Sequence, residues 1–154
     1  SLNFTPDGLR DRLEDLRRGA ELADRDPEDV RVTLSLPCCA LDDAERARRL
    51  AAQHLAFYVG GMGTFYRDAL VRQGHGELAE TVYDAWQEGD RGEAVAAIHP
   101  LLDDLSAAGS PEHARERLEA FGNIDGVDAV SVSFPRGAET DEIEATMDAL
   151  APDA

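Results

Sequence analysis

The chain has 154 residues and a formal net charge of −17 at pH 7, because 32 Asp and Glu outnumber 15 basic residues, all of them arginine. There is no basic stripe, no apolar run near the roughly 20 residues of a transmembrane helix and no signal peptide, so we expect no nucleic-acid partner, no membrane partner and a cytoplasmic location. The acidic excess and missing lysine indicate adaptation to molar salt, where charges are screened within roughly 3 Å; an ordinary acidic protein from a GC-rich genome is the alternative.

The first part of the chain predicts a helix, a strand and a second helix. Thr5-Pro6 combines a capping hydroxyl with a proline in the first turn, and an apolar stripe follows to about residue 24. Apolar and polar residues then alternate over Val30–Pro37, which predicts a strand. Asp42 and Glu45 have the spacing of a capping box and begin a helix that ends near residue 58.

The middle of the chain predicts only helices. Gly60-Gly61-Met62-Gly63 indicates a sharp turn between packed helices; it lacks the Lys-Ser/Thr ending of a phosphate-binding loop and follows a helix instead of a strand. Shorter helices are predicted over about 64–73, 77–87 and 93–107. Residues 42–108 are therefore longer than a typical crossover connection and are predicted to be a helical insertion between two strands.

The last third predicts a helix, a strand and a helix. Ser110-Pro111 begins the first helix, Val127–Phe134 is the strand, and the final helix runs from about residue 139 to 150. In parallel α/β proteins, functional residues collect just past the carboxyl ends of strands. Arg136 stands there, and its planar guanidinium suits a phosphate or carboxylate group. An ion pair between Arg136 and Glu139 is the alternative.

The remaining candidates are cysteines and histidines. Cys38 and Cys39 follow the first predicted strand, and a disulfide between neighbours would be strained, so they do not indicate an oxidising compartment. We expect Cys38 and Cys39 to be small buried residues that form a pocket floor, in preference to a direct chemical role. We predict no metal site, because no further thiol or imidazole lies near them at the spacing of metal ligands. The four histidines are scattered, and each is expected at the surface or half-buried. The aromatic residues around the glycine turn are expected in the core or in a subunit contact.

Several of these segments together resemble the C-terminal part of the luciferase-like flavin and deazaflavin oxidoreductases. The nearest group is the archaeal one similar to methylenetetrahydromethanopterin reductase, from halophilic organisms. The resemblance rests on the order and spacing of five segments: Leu2-Asn3-Phe4-Thr5-Pro6, the stretch 25–30, the stretch 56–66, the stretch 108–112 and Gly126-Val127-Asp128.

The resemblance implies an α/β fold that is the C-terminal portion of a (β/α)8 TIM barrel, mostly helical with about two parallel strands. Leu2-Asn3 would end strand six, Val30–Pro37 would be strand seven and Val127–Phe134 strand eight. Residues 1–154 would form one partial domain, with 42–108 as its helical insertion. The first five strands would lie outside this chain, together with the family's acid/base histidine and most coenzyme contacts, so no catalytic residue is assigned.

The function implied is hydride transfer between coenzyme F-420, a deazaflavin, or FMN and a small organic or pterin-type substrate, with the chain inactive in isolation. Cys38, Cys39, Ser133 and Phe134 would line the pocket, and Arg136 would bind an anionic substituent. A non-catalytic helical binding or dimerisation module is one alternative, and an FMN-dependent monooxygenase of the same superfamily is another. Unpaired strand edges predict a homo-oligomer.

Overall fold

The computed structural model describes residues 4–152, in which eight helices surround three short strands. The helices are α1 (Pro6–Leu22), α2 (Ala44–Gly61), α3 (Phe65–Arg72), α4 (Gly76–Glu88), α5 (Arg91–Ile98), α6 (Leu102–Leu105), α7 (Pro111–Gly122) and α8 (Thr140–Leu150). The strands are β1 (Thr33–Ala40), β2 (Ala107–Gly109) and β3 (Ala129–Ser133). Single 3-10 turns occupy Pro27–Asp29 and His99–Leu101. The predicted end of strand six, Leu2-Asn3, lies outside the described residues.

The two predicted strands are confirmed as parallel neighbours. β1 is central in the order β2-β1-β3, and its first part pairs with β3 from Thr33 opposite Ala129 to Pro37 opposite Ser133. β1 itself begins and ends three residues later than predicted, because the chain stays extended through Pro37. The missing N–H of that proline falls where the ladder with β3 ends and the ladder with β2 begins, a place where a sheet tolerates it.

The third strand, β2, was not predicted. Its residues Ala107 and Ala108 continue an alanine-rich stretch that local propensity assigns to a helix. In the structure Pro100 interrupts that helix with a 3-10 turn, and the backbone becomes extended at Ser106. Ala107–Gly109 then pairs with residues 38–40 of β1. Because these small residues are fully buried, tertiary pairing overrides the helical preference.

The core consists of two apolar clusters on opposite sides of the sheet. Leu34, Leu36 and Cys38 of β1 pack against α1 and α7, through residues such as Leu13 and Phe121. The other cluster is built mainly from α2, α4, α5 and α6 and reaches β1 only at Cys39. Consequently the amino-terminal part of the sheet is covered on one face alone. On its other face Thr33, Ala129 and Ser131 are exposed and Ser35 is half-buried.

Helix α2 continues further than the glycine pattern predicted. Its cap is Asp43, whose carboxylate accepts from the Arg46 N–H at 2.9 Å, so the predicted capping box of Asp42 with Glu45 is not formed and a single capping hydrogen bond begins the helix one residue later. Gly60 and Gly61 form its last turn instead of interrupting it. A Cβ at Gly60 would lie 2.3 Å from the Cβ of Trp86, so these glycines let α4 approach α2 closely. Within residues 4–152 no helix has the length and hydropathy needed to cross a bilayer.

Candidate functional site

The turn after β3 brings Arg136 to the position predicted for it, beyond the carboxyl end of the strand. Its guanidinium is exposed and lies over the ring of Phe57 on α2, 4.4 Å from the ring centroid. Among the described residues it makes no ion pair, so the predicted alternative of a pair with Glu139 is not formed. The ring of Phe57 therefore holds the Arg136 guanidinium by a cation–π contact, and the guanidinium N–H groups stay available to an anion.

His54 of α2 anchors this turn and was missed by the sequence analysis, which expected it at the surface or half-buried. The side chain is 5% exposed, and its Nδ1 accepts a hydrogen bond from the backbone N–H of Arg136 at 3.0 Å. Burial, assisted by the positive charge of Arg136, lowers the pKa of His54 to about 4. The imidazole is thus neutral at pH 7, with its proton on Nε2, because Nδ1 is the acceptor.

Two buried polar atoms near this turn have no hydrogen-bond partner within the described part of the chain. They are Nε2 of His54 and Oγ of Ser133, the last residue of β3. Buried polar groups are nearly always satisfied in folded proteins. Both atoms belong to residues next to the Arg136 turn in sequence or in contact with its backbone, so hydrogen bonding around this turn is incomplete within the described chain. Phe134, half-buried, follows Ser133 directly.

The two cysteines are buried beneath this region, and the thiol of Cys38 lies against the backbone of Ser133. Cys38 is fully buried among Leu36, Ala107 and Phe121, on the face covered by α1 and α7. Cys39 points to the opposite face and packs in the cluster around α2. Burial raises the pKa of Cys38 to about 12 and that of Cys39 to about 11. Both side chains are protonated and buried, so the burial predicted for them is observed.

Aromatic side chains continue from Arg136 across helices α2, α3 and α4. The Arg136 guanidinium covers Phe57, Phe57 meets Trp86 edge-on at 5.8 Å between ring centroids, and Arg91 lies over Trp86. A second series of edge contacts joins three rings: Tyr58, Tyr66 and Phe65. The ring of His54 contacts that of Tyr58 at 4.8 Å between centroids, with a tilt of 44°. An edge contact between Phe57 and Tyr58 at 5.5 Å joins the two series.

A second polar cluster lies beyond β2 and is structural. One oxygen of Asp103 accepts from Arg48 at 2.7 Å and contacts His113 Nε2 at 3.0 Å. Burial would raise the pKa of Asp103, but the hydrogen bonds from Arg48 and His113 outweigh it and leave the pKa lowered. Arg48 also donates to the carbonyl of Ala108, which ties α2 to β2. No group of three or more potential metal ligands occurs among residues 4–152.

Comparison with known proteins gives a consistent result. The sequence model of the family described as luciferase-like monooxygenase matches residues 1–128. A Mycobacterium tuberculosis protein assigned as a coenzyme F-420-dependent oxidoreductase is 29% identical over 104 residues, which are 64% of this chain and 30% of that protein. The structure of the coenzyme F-420-dependent tetrahydromethanopterin reductase from Methanopyrus kandleri aligns with a TM-score of 0.66 at 24% identity, over 89% of this chain and 39% of that one.

The structural likeness shows the fold: the three parallel strands and their helices correspond to part of a (β/α)8 barrel. This confirms the barrel fold that the resemblance implied, with three parallel strands among the described residues instead of about two. The chain spans well under half the length of both relatives.

Proposed function

Since the chain belongs to the luciferase-like monooxygenase family, we propose that it supplies the carboxyl-terminal strands and the coenzyme's anion-binding turn of an F-420-dependent oxidoreductase. The reaction proposed is hydride transfer between the deazaflavin and a small organic or pterin-type substrate. The observation that carries the proposal is the parallel pairing of β1 with β3, which places Arg136 just beyond the carboxyl end of a barrel strand. The deazaflavin is favoured over FMN because the relatives described above are named for coenzyme F-420.

The open face of the sheet supports the view that the barrel is completed by protein outside this chain. In a (β/α)8 barrel one face of the sheet packs on the surrounding helices and the other faces the packed interior. Here α1 and α7 cover the face that carries Leu34 and Leu36. The face that carries Thr33 and Ser131 is exposed. Residues from other barrel strands would cover it, and the chain alone would then be inactive.

The residues at the carboxyl end have properties that suit a deazaflavin with an anionic side chain. Arg136 offers an exposed guanidinium with no ion pair in the described chain to a phosphate or carboxylate. The Ser133 hydroxyl has no partner in the described chain, but it is buried and would support the site from behind. Phe134 adds a half-buried apolar wall. Cys38 and Cys39 would support this wall from within the core, without touching the coenzyme, because neither thiol has a surface.

The chemistry in this proposal depends on position more than on covalent catalysis. When bound, the deazaflavin supplies the carbon that gives or accepts the hydride. This chain would hold the anionic end of the coenzyme at Arg136. The hydrogen bond from the Arg136 N–H to His54 would keep the turn after β3 in a fixed position. His54 is neutral near pH 7 and buried, so it serves this turn as an acceptor and not as a proton donor to substrate.

The test measures coenzyme binding to the intact protein encoded by the gene, by fluorescence titration with F-420 and separately with FMN. We expect binding of F-420 and reduction of the bound coenzyme by substrate. Arg136→Gln should weaken F-420 binding by about tenfold, the loss of one charge-assisted contact. Arg18→Gln is the matched control, because Arg18 is an exposed arginine of α1 whose ion pairs within residues 4–152 are with Glu14 and Asp15 of the same helix.

Each other outcome contradicts the proposal in a different way. Binding of FMN alone would indicate the monooxygenase, and binding of neither coenzyme would indicate a non-catalytic module. Equal affinity of the Arg136→Gln and Arg18→Gln variants would remove Arg136 from the site while leaving the family assignment untouched.

A further inference from the structure

One face of helix α2 runs alongside the connection from β3 to α8. Four side chains share this face because they are three or four residues apart: Arg46, Leu50, His54 and Phe57. The last two hold Arg136, and Cδ2 of Leu50 lies 3.8 Å from the point that a Cβ at Gly137 would occupy. Arg46 binds Glu142 in the first turn of α8. The connection therefore runs antiparallel to α2 and contacts it at several successive points.

Arg46 and Glu142 form a bidentate ion pair. Nε and Nη2 of Arg46 donate to the two carboxylate oxygens at 2.8 Å and 3.3 Å. One of these oxygens also accepts from the backbone N–H of Glu139 at 2.8 Å, as part of the capping box that begins α8. Hydrogen bonds from Arg46 and Glu139 lower the pKa of Glu142, so its carboxylate is charged at pH 7. Because a bidentate pair fixes an angle as well as a distance, it orients the first turn of α8 relative to α2.

This pair differs from the other ion pairs of residues 4–152. Most of those are exposed or join neighbours within one helix, where an ion pair contributes little to stability. Arg46 and Glu142 are 96 residues apart in sequence, and Glu142, with 16% of its side chain exposed, is the least exposed carboxylate among these pairs. Helix α8 is also held at Thr146, whose hydroxyl accepts from the Ala40 N–H. Loss of the ion pair should therefore leave α8 in place and loosen only its first turn.

The turn that carries Arg136 needs more than one anchor. The hydrogen bond to His54 fixes the backbone at Arg136, but the next residue, Gly137, has a φ of +86° and the wide conformational freedom of glycine. A chain held at one point can rotate about it. The ion pair at Glu142 is a second fixed point beyond that glycine. Together the two anchors limit how far the guanidinium can move over Phe57.

We propose that Arg46 and Glu142 are positioning residues for the Arg136 anion site, and that their ion pair raises the affinity for the coenzyme by holding the guanidinium where the anion binds. This inference rests on the proposed function and names two residues that serve the same site without contacting the coenzyme. Arg46 does not bind the anion itself, because Glu142 occupies its guanidinium. A cation that is already held in its binding position loses less conformational entropy when the anion binds.

The test is fluorescence titration of the intact protein encoded by the gene with F-420. Arg46→Gln should raise the dissociation constant about fivefold, and Arg46→Lys, which keeps the charge but not the planar guanidinium, should restore only part of the affinity. Glu142→Gln keeps an acceptor for the Glu139 N–H, so it removes the ion pair without the helix cap and should match Arg46→Gln. Arg49→Gln is the matched control, because Arg49 is an exposed arginine of the same helix paired with Glu45, and it should leave the affinity unchanged.

The decisive comparison repeats Arg46→Gln in the Arg136→Gln background. A residue that acts only by positioning Arg136 has nothing left to position there, so we expect no further loss of affinity. A second fivefold loss would overturn the positioning role, because Arg46 would then act on the coenzyme by another route. Hydrogen exchange of residues 134–139 in the coenzyme-free protein is an independent measurement, and it should become faster in Arg46→Gln and stay unchanged in Arg49→Gln.

The outcomes separate this inference from the proposed function. If Arg136→Gln weakens F-420 binding and Arg46→Gln does not, the positioning role is wrong and the anion site stands. If Arg136→Gln has no effect, the anion site itself fails and the positioning role fails with it. Exchange of residues 134–139 that Arg46→Gln leaves unchanged would also overturn the positioning role. Circular dichroism shows that each variant is folded.

Discussion

Replacing His54 with glutamine tests whether this buried imidazole holds the Arg136 turn in its neutral form. Glutamine keeps an acceptor oxygen for the Arg136 N–H but cannot be protonated in the relevant range. At pH 7 we expect the variant to be less stable by about 1 kcal/mol, because it loses the ring contact with Tyr58. The informative quantity is how this difference changes with pH.

The sign follows from the pKa in each state. The folded pKa of His54 is about 4 and the unfolded value is 6.5, so between these values the unfolded chain binds more protons and stability falls as the pH is lowered. Protonation of His54 in the unfolded state alone would lower the free energy of unfolding by about 3 kcal/mol in total. About 2 kcal/mol of this decrease occurs between pH 7 and pH 5. His54→Gln lacks this loss, so it should equal or exceed the parent protein in stability at pH 5.

The assay is urea unfolding in molar KCl at pH 7, 6 and 5, followed by Trp86 fluorescence, with the two-state free energy compared at each pH. Carboxylates with lowered pKa values, such as Asp103 and Glu142, titrate equally in both proteins and cancel in the comparison. His99→Gln, at an exposed position, should follow the parent protein. Parallel curves for His54→Gln and the parent would refute a buried neutral imidazole at this turn.

Three further predictions follow from single contacts. Gly60→Ala should destabilise the fold by about 2 kcal/mol or more in urea unfolding, because its Cβ would overlap Trp86, whereas Gly19→Ala on the open side of α1 should be neutral or stabilising. Thr146→Val should lower the free energy of unfolding by about 1–3 kcal/mol, since it removes the buried acceptor of the Ala40 N–H at 3.0 Å. Thr146→Ser keeps the hydroxyl and should retain most of that stability. Equal stability of the Val and Ser variants would disprove the role of this hydrogen bond. Both cysteines should resist a thiol reagent at pH 8 in the native protein and react only on unfolding, because burial raises their pKa values to about 12 and about 11. Rapid labelling of the native protein would contradict this burial.

The elements with local signals could be predicted from the sequence. The capping residues Thr5 and Ser110, each followed by proline, mark helices that begin at the next residue in the structure. The alternation over Val30–Pro37 likewise predicted a strand, and the resemblance implied that it lies parallel to Val127–Phe134, as observed. β2 could not be found in this way, because three small residues carry no periodicity and form a strand only by pairing with β1.

The site was only half predictable for a related reason. Arg136 could be found because its place depends on local order, a strand followed by a turn and a helix. His54 could not, because its role depends on a contact 82 residues away in sequence. Its one local signal is the spacing to Phe57 and Tyr58, which at i+3 and i+4 share its face of α2. That spacing is equally typical of a core helix, so the sequence cannot distinguish a histidine that anchors a distant turn from one that only packs in the core.

The contact between His54 and Arg136 also gives helix α2 a role in the proposed coenzyme site. The turn after β3 would be a short exposed segment if only its own strand and α8 held it. Instead its backbone bonds to His54 of α2 and its guanidinium rests on Phe57 of the same helix, so α2 fixes the orientation of the cation.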